Sequence, residues 1–398
     1  MITHKIKDGV YSVGVQNPNL RVFDIIMQTE FGTTYNAYLV KGNDKTALIE
    51  TCHVKFFDEY LENISAICDI KDIDYIVMNH TEPDHSGSIR KVLELNPNIT
   101  LVASVAGINY LKAITNMEFQ SVTAKDGDVI DLGGKTLQFV SAPQLHWPDS
   151  MFTYLKEDSV VFTCDFLGAH YCEPRLLDKH LSYPESYESA LAYYYAAIFG
   201  PFKKAVLAGL DKLETLQFDT VCTSHGPVLQ ERIAENMKKY REWSETILQK
   251  NDPKKVPIFY VSAYGCTRTL AQKAQEVLRR RGFACEIYDI ICHDMGKLKE
   301  EIDKSDAFML GSPTINRDAL KPVWDVISCT DAIVNKGKQV GIFGSYGWSG
   351  EAVPMLVNRI NDLKLKAFED GCKACFVPSE EELKNMEEYT ERFADAIG

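Results

Sequence analysis

Four potential metal ligands lie within six residues, directly after a segment that predicts a buried strand. The apolar run Ile73–Met78 is followed by Asn79 and then by His-Thr-Glu-Pro-Asp-His at residues 80–85. Side chains on a turn at the carboxyl end of a strand can converge, and open α/β sheets place their ligand sites at that edge. A single histidine in such a turn is more often an ordinary buried or loop residue, for example one that caps a helix starting near Ser86. The joint spacing instead favours a metal site.

Further candidate ligands occur in the same local context downstream. Each lies just past the end of another apolar strand, so the full candidate set is His80, Glu82, Asp84, His85, His146, Asp165 and His225. The set contains imidazoles and carboxylates without a thiolate, and it is too large for one tetrahedral zinc ion. Mixed nitrogen and oxygen ligands suit iron or manganese. Three carboxylates would also offset most of the charge of two ferrous ions. The pattern therefore predicts a centre of two metal ions with open positions.

The chain divides into two parts at a polar segment that contains a proline. A charged, helical-looking stretch at 231–250 is followed by residues 251–255 and then by an apolar run, which predicts domains at residues 1–250 and 256–398. The first domain is predicted to be an α/β layered structure with mixed sheets, and its strands include Thr34–Val40, Thr46–Glu50, Leu137–Val140, Val160–Thr163 and Thr220–Thr223. The second alternates strand and helix, which predicts a doubly wound parallel sheet, with strands at Val256–Ser262, Ala284–Asp289, Ala307–Leu310, Gln339–Phe343 and Ala374–Val377.

Three loops of the second domain follow predicted strands and suit a flat ring with a phosphate. The first contains Ser262, Tyr264, Gly265, Cys266 and Thr267, and the later two contain Pro313, Thr314 and Asn316, then Ser345, Tyr346, Gly347, Trp348 and Gly350. The first loop opens a helix, whose N–H groups together with the hydroxyls can bind a monophosphate such as that of FMN. Glycines let the backbone approach a ring, and the aromatic side chains can stack on it. The first loop lacks both GxGxxG and the GxxxxGK pattern, which disfavours a dinucleotide or a nucleoside triphosphate.

Bulk properties exclude several classes of protein. The net charge of −13 disfavours a nucleic-acid partner. The first residues lack the apolar stretch of a signal peptide, and no run is long enough to predict a membrane span. The eleven cysteines are scattered, which is typical of reduced thiols in the cytoplasm. The one CxxC pair, Cys372 and Cys375, lacks the second pair that a four-thiolate site needs, so a structural or incidental pair is favoured over a redox-active one.

A family resemblance rests on these residues. Glu50 in Thr-Ala-Leu-Ile-Glu-Thr, the motif at 80–85, His146, Asp165 and His225 follow the order of the metal motifs of the metallo-β-lactamase superfamily. The zinc hydrolases of that superfamily have HxHxDH, whereas Glu82 replaces the second histidine here. With His-Trp-Pro-Asp-Ser at residues 146–150, the chain resembles the flavodiiron proteins, and its three later loops are similar to those of flavodoxin.

The resemblance implies a fold, cofactors and an activity. The expected fold is a metallo-β-lactamase-like αβ/βα sandwich followed by a flavodoxin-like domain, and the cofactors are two iron ions and FMN. His80, Glu82 and His146 would hold one iron, Asp84, His85 and His225 the other, and Asp165 would bridge them. In some members water replaces the bond that His85 would make. The implied activity is reduction of dioxygen to water or of nitric oxide to nitrous oxide.

The resemblance also implies partners. Because no appended rubredoxin is expected, electrons would come from an external donor such as rubredoxin, a reductase or a reduced deazaflavin. The implied assembly is a head-to-tail homodimer, or a tetramer built from it. Many family members have a histidine near the position of Asp24, and this chain has none, which leaves the preference between the two gases open. The tyrosines at 193–195 could line the pocket, although core packing is the simpler reading of three consecutive helical residues.

Two other functions remain as alternatives. One is a zinc hydrolase with a regulatory flavodoxin domain, which Glu82 disfavours. The other is an electron carrier or a gas-sensing module without catalysis, which the complete ligand set disfavours.

Overall fold

The structure is a computed structural model that describes residues 3–245 and 250–398. It forms two compact units, Met1–Ile247 and Leu248–Gly398. The helix predicted at 231–250 is observed as Ile233–Glu245, and residues 246–249 of that prediction lie outside the described part of the chain. Among the described residues, no helix combines the length and the apolarity needed to cross a bilayer.

The described part of the first unit consists of short strands and seven α-helices. Its strands are β1 His4–Lys7, β2 Val10–Ser12, β3 Val15–Asn17, β4 Val22–Phe23, β5 Met27–Gln28, β6 Thr33–Tyr35, β7 Tyr38–Lys41, β8 Thr46–Ile49, β9 Tyr75–Met78, β10 Thr100–Ala103, β11 Gln120–Thr123, β12 Val129–Asp131, β13 Thr136–Ser141, β14 Met151–Leu155, β15 Val160–Cys164 and β16 Thr220–Thr223. The helices of its described part are α1 Phe57–Ser65, α2 Pro83–Ser86, α3 Ile89–Leu95, α4 Val105–Thr115, α5 Pro184–Tyr194, α6 Lys203–Glu214 and α7 Ile233–Glu245.

Two sheets form the centre of this unit. One has the order β1-β2-β7-β8-β9-β10-β11 and is parallel from β8 to β11, and the other has the order β12-β13-β14-β15-β16. Alternate residues of a strand point to opposite faces. Accordingly, Val77 of β9 belongs to a core shared with Phe139 and Phe162 of the second sheet. Its neighbour Ile76 belongs to the core that includes Tyr60 of α1. Both faces of β9 are therefore buried, as in a sheet-on-sheet sandwich with outer helices.

The prediction of one continuous strand at Thr34–Val40 is wrong. The chain forms β6 and β7 with a break at Asn36, because Asn36 bonds to the loop after β16 rather than to a neighbouring strand. Its backbone N–H donates to the Ser224 carbonyl at 2.8 Å, and its side-chain amide donates to the carbonyls of Thr223 and Gly226 at 2.9 and 2.8 Å. These bonds fix the loop that carries His225.

The second unit is a parallel sheet with helices on both faces, which confirms the predicted doubly wound architecture. Its strands are β17 Ile258–Tyr260, β18 Ile287–Asp289, β19 Ala307–Gly311, β20 Thr314–Ile315, β21 Asp318–Ala319, β22 Gln339–Tyr346, β23 Lys366–Ala367 and β24 Cys372–Cys375. Its helices are α8 Cys266–Arg280, α9 Met295–Asp303, α10 Lys321–Cys329, α11 Ala352–Asp362 and α12 Glu380–Ile397. The sheet order is β18-β17-β19-β22-β23, with β24 also paired to β22.

The last strand begins and ends two residues earlier than the predicted Ala374–Val377. Phe376 has a φ of 54° and leaves the strand, so Phe376 and Val377 are exposed. Within β24, Cys372 is buried and Cys375 is exposed. Residues three apart in a strand point to opposite faces. The two thiols therefore do not face one ligand.

Candidate metal centre and flavin loops

The candidate ligands at 80–85 are placed by β9 and by the single turn of α2. Pro83 occupies the first position of that turn, where its missing N–H costs no hydrogen bond. His85 lies inside this turn, so the alternative in which it caps a helix starting near Ser86 is wrong. The other candidates follow β13, β15 and β16, and the loops after these strands turn the side chains inward.

Asp165 lies between two groups of imidazoles. Its Oδ2 atom is 3.7 Å from His80 Nε2 and 3.4 Å from His146 Nε2. Its Oδ1 atom is 3.1 Å from His85 Nε2 and 3.4 Å from His225 Nε2. One carboxylate therefore presents one oxygen to each of two separate sites.

A further carboxylate completes each group. Glu82 Oε2 lies 3.1 Å from His146 Nε2 and 3.3 Å from His80 Nε2. Asp84 lies 3.1 Å from His225 Nε2 and 3.4 Å from His85 Nε2. The structure thus brings all of the predicted metal-site residues together, in one group of His80, Glu82, His146 and Asp165 and a second of Asp84, His85 and His225, with ligand atoms within 4.8 Å in each.

Several atoms of the site are buried without a hydrogen-bond partner in the described part of the chain. They are both carboxylate oxygens of Asp84, Oδ1 of Asp165 and both ring nitrogens of His85. Burying an uncompensated carboxylate costs several kcal/mol, and a bound cation removes that cost. The donor set and these orphaned atoms fit a pair of divalent metal ions.

The imidazoles of His80 and His225 are oriented by hydrogen-bond partners on the side away from the other candidate ligands. The Nδ1 atom of His80 faces the Asp149 carboxylate at 3.2 Å, and Asp149 Oδ2 also accepts from the Thr81 N–H at 2.7 Å. The Nδ1–H of His225 donates to the Thr34 carbonyl at 2.6 Å. These bonds leave Nε2 of each ring as the metal-facing atom. Asp149 was not among the predicted site residues, although it belongs to the 146–150 segment that carries the family resemblance.

The carboxylates and imidazoles of the site stabilise each other's charged forms. Burial alone would raise the pKa of the Asp165 carboxyl, but the imidazoles of His85 and His146 outweigh it and hold that pKa well below its usual value. Burial alone would lower the pKa of His80, but the carboxylates of Asp149 and Glu82 raise it well above its usual value. Burial raises the pKa of Glu50 to about 7, and its Oε1 accepts from the Asn79 N–H at 2.9 Å, just before the motif.

Of the consecutive tyrosines at 193–195, one lines the candidate site and another packs in the core. The ring of Tyr194 is buried 4.9 Å from His170 and 6.0 Å from His225, so it lines the site. Tyr195 instead packs in the core, 4.9 Å from the ring of Tyr240. His170 was not among the predicted site residues, because a lone histidine in a loop carries no distinguishing sequence signal.

The three predicted flavin loops meet at one edge of the second sheet. The Thr267 and Ser345 hydroxyls are 2.8 Å apart and join the first loop to the third, and the Ala352 N–H donates to the Thr314 hydroxyl at 3.2 Å, which joins the third to the second. Gly265 has a φ of 88° directly before α8, a conformation that favours glycine.

Aromatic side chains at this edge are left in solvent. Tyr264 is 93% exposed and Trp348 is 91% exposed. Tyr346 is half-buried, and its ring lies against Gly350. Large exposed aromatics beside a helix N-terminus fit a flat, phosphate-bearing ring such as FMN. Pro313, Asn316, Ser262, Cys266 and Gly347 lie on the same three loops.

Comparisons with known proteins agree with both units. The family described as ODP family beta lactamase matches residues 33–226, and the family described as flavodoxin matches residues 258–389. Flavo-diiron protein FprA2 of Clostridium acetobutylicum is 52% identical over 399 residues, with 99% of each chain covered. Type A flavoprotein fprA of Rhodobacter capsulatus is 34% identical, over 98% of this chain and 91% of the relative.

Solved structures give the same result. The rubredoxin oxygen:oxidoreductase of Desulfovibrio gigas has a TM-score of 0.70 at 27% identity and covers 100% of this chain and 98% of its own. The flavodiiron protein of Giardia intestinalis has a TM-score of 0.68 at 27% identity, over 100% and 99% of the two chains. These relatives confirm the predicted fold class and class of enzyme. The chain belongs to the flavodiiron protein family, oxidoreductases that carry FMN and a non-haem diiron site.

Proposed function

We propose that this chain reduces dioxygen to water, nitric oxide to nitrous oxide, or both, with the seven predicted side chains as ligands of two irons. His80, Glu82 and His146 hold one iron, Asp84, His85 and His225 hold the other, and Asp165 bridges them. The observation that carries the proposal is the division of Asp165, whose two oxygens face two different imidazole pairs at 3.1 to 3.7 Å.

The protein side chains leave room for a gas. Each iron would be held by three side chains and one oxygen of Asp165, a set of nitrogen and oxygen ligands that suits iron and would leave positions open. Tyr194 and His170 lie beside the second group, and both are buried, so they exclude bulk water from that side. When bound, FMN supplies electrons in single or paired steps and the iron pair supplies the site of gas reduction.

We also propose that FMN binds the three loops that meet beside α8. The phosphate would lie at the N-terminus of α8, beside Ser262 and Thr267, because the first N–H groups of a helix bind anions. Trp348 and Tyr264 would cover the ring. In solvent they expose an unusual amount of apolar surface, which a bound ring would bury.

A head-to-tail homodimer, in which the flavin of one subunit faces the irons of the other, is the proposed assembly. Each unit exposes apolar side chains beside its own candidate site. Ile25 and Ile26 are 94% and 80% exposed in the first unit, and Phe376 and Val377 are exposed in the second. A second copy could cover these side chains, and a tetramer could be built from that dimer. The electrons would come from an external donor, such as a rubredoxin, a reductase or a reduced deazaflavin.

Two simpler proposals accompany these. We place the functional domains at residues 1–250 and 256–398, with residues 251–255 as the connection. We place the protein in the cytoplasm, because its eleven cysteines are free thiols, as expected in a reducing compartment.

The test is an anaerobic assay of iron-loaded, FMN-loaded protein with a reduced donor and each gas in turn, together with elemental analysis. We expect two irons and one FMN per chain and consumption of at least one gas. One zinc ion and no gas consumption would favour the zinc hydrolase instead. Bound cofactors without gas consumption would favour an electron carrier or sensor.

A substitution tests the bridging role. Asp165→Ala should disturb both irons while FMN remains bound, whereas Asp131→Ala, which removes an exposed carboxylate from β12, should leave iron and activity unchanged. Full iron content and full activity in the Asp165→Ala protein would contradict the bridging assignment.

A further inference from the structure

A fourth segment of the second unit contacts the flavin loops. β24 pairs in parallel with β22, with Cys375 opposite Tyr346, so the chain leaves both strands at the same edge of the sheet. The residues after β22 form the third predicted flavin loop, and the end of β24 continues into the segment Cys375–Val377. This segment was not among the predicted flavin-binding residues, because it contains neither a glycine nor a hydroxyl group that would indicate such a site.

Backbone bonds fix this segment against the third loop. The Phe376 N–H donates to the Tyr346 carbonyl at 2.7 Å, and Phe376 has a φ of 54°. That conformation is unusual for a bulky residue and persists where the surrounding structure fixes the backbone. The thiol of Cys375, a weak donor, lies 3.6 Å from the Gly347 carbonyl. On the other side of the segment, Glu382 of α12 accepts from the Cys375 N–H at 2.6 Å.

The ring of Phe376 fills the space that Gly347 leaves open. A Cβ atom at Gly347 would lie 3.0 Å from two ring carbons of Phe376, whereas carbon atoms attract best at about 3.5–4.0 Å. Gly347 does not have a positive φ, so its backbone alone does not require glycine. In the same way, a Cβ atom at Gly350 would lie 3.1 Å from the side chain of Lys373. Two glycines of the third loop therefore pack against β24 and the segment that follows it.

We propose that Phe376 is a positioning residue for FMN, which holds the third flavin loop in its binding conformation before the cofactor arrives. This inference rests on the proposed FMN site. A loop that the cofactor must order loses part of the binding free energy, whereas a loop that is already fixed does not. Phe376 is 65% exposed and adds little to the core, so loss of its ring should leave the unit folded.

The test is a fluorescence titration with FMN of the full-length, iron-loaded protein from which FMN has been removed. Phe376→Ala removes the ring, and Phe376→Tyr keeps it. Val377→Ala is the matched control, because it removes an exposed apolar side chain from the next residue. Gly347→Ala is made alone and together with Phe376→Ala. Thermal unfolding of the FMN-free proteins and size-exclusion chromatography report on folding and on subunit assembly.

We expect Phe376→Ala to weaken FMN binding about tenfold, as when binding itself must order one or two further residues, with thermal unfolding unchanged. Phe376→Tyr and Val377→Ala should bind FMN like the unsubstituted protein. Gly347→Ala should weaken FMN binding when Phe376 is present and much less in the Phe376→Ala protein, because the added Cβ atom then meets no ring.

Three results would overturn the inference. The first is an FMN affinity of Phe376→Ala equal to that of the unsubstituted protein. The second is an equal loss in Val377→Ala, which would assign the effect to the exposed apolar surface and its subunit contacts. The third is an effect of Gly347→Ala that is the same with and without the ring. If Phe376→Ala does not fold, Gly347→Ala alone decides, and unchanged FMN affinity would overturn the inference. If the unsubstituted protein binds no FMN, the proposed FMN site itself fails.

Discussion

Replacing Asp149 with asparagine should weaken one iron site and leave the other intact. Asp149 is buried behind His80, faces its Nδ1 atom at 3.2 Å and accepts from the Thr81 N–H and hydroxyl at 2.7 and 2.8 Å. The amide oxygen of asparagine can keep the bonds from Thr81. Its NH₂ group, however, offers a donor to His80 Nδ1, which favours the tautomer that carries the proton on Nε2, the atom that faces the metal.

The magnitude follows from that change of tautomer. Loss of a partner behind a metal-bound histidine typically costs 10- to 100-fold in metal affinity, which is about 1.4 to 2.7 kcal/mol. Binding of only the iron that we propose for His80, Glu82 and His146 should weaken, because His225 takes its orientation from the Thr34 carbonyl. The two irons should therefore separate into a tight and a weak class.

The assay is an anaerobic competition between the protein and a ferrous chelator of known affinity. FMN content, measured in the same sample, reports on the second unit as an internal standard. The control is Asp126→Asn, which makes the same chemical change at an exposed carboxylate that accepts from the Ser141 N–H. Binding of both irons by Asp149→Asn as tightly as by the control, or equal loss of both, would contradict this role of Asp149.

Three further predictions concern single side chains. Asp178→Ala should lower the free energy of unfolding by about 2 kcal/mol in urea denaturation, because its Oδ2 accepts from the three N–H groups of residues 230–232 that precede α7. Burial lowers the pKa of Lys338 to about 8, so the unfolded chain binds the extra proton between about pH 8 and 10.5. Stability should rise with pH across that window, and Lys338→Met should lack this rise in thermal unfolding. Trp348→Ala should weaken FMN about tenfold in a fluorescence titration, with iron content unchanged.

Each of these predictions has a result that contradicts it. Unaltered urea midpoints for Asp178→Ala would mean that water replaces the carboxylate at the start of α7. An equal pH profile in the Lys338→Met protein would assign the rise to other groups. Unchanged FMN affinity in Trp348→Ala would place the ring elsewhere, and Val122→Ala provides an exposed apolar control in the other unit.

Sequence patterns predicted the parts of the molecule that depend on local structure. The candidate ligands at 80–85 were predicted because they follow β9 within a few residues, and the carboxyl ends of strands share an edge. The break at Asn36 was not predicted, because its cause is a set of bonds to residues 223–226, almost two hundred positions away. Asp149 was missed for the same reason, since it contacts His80, which only the folded chain brings near.

The candidate ligands come from loops distributed between residues 80 and 225, across both sheets of the first unit. No shorter stretch of the chain holds both groups, because the first ends at Asp165 and the second needs His225, which follows β16. A metal ion that arrives before His225 is synthesised meets at most the first group. Occupancy of both sites should therefore follow completion of the second sheet, and iron supplied late should be incorporated as completely as iron supplied early.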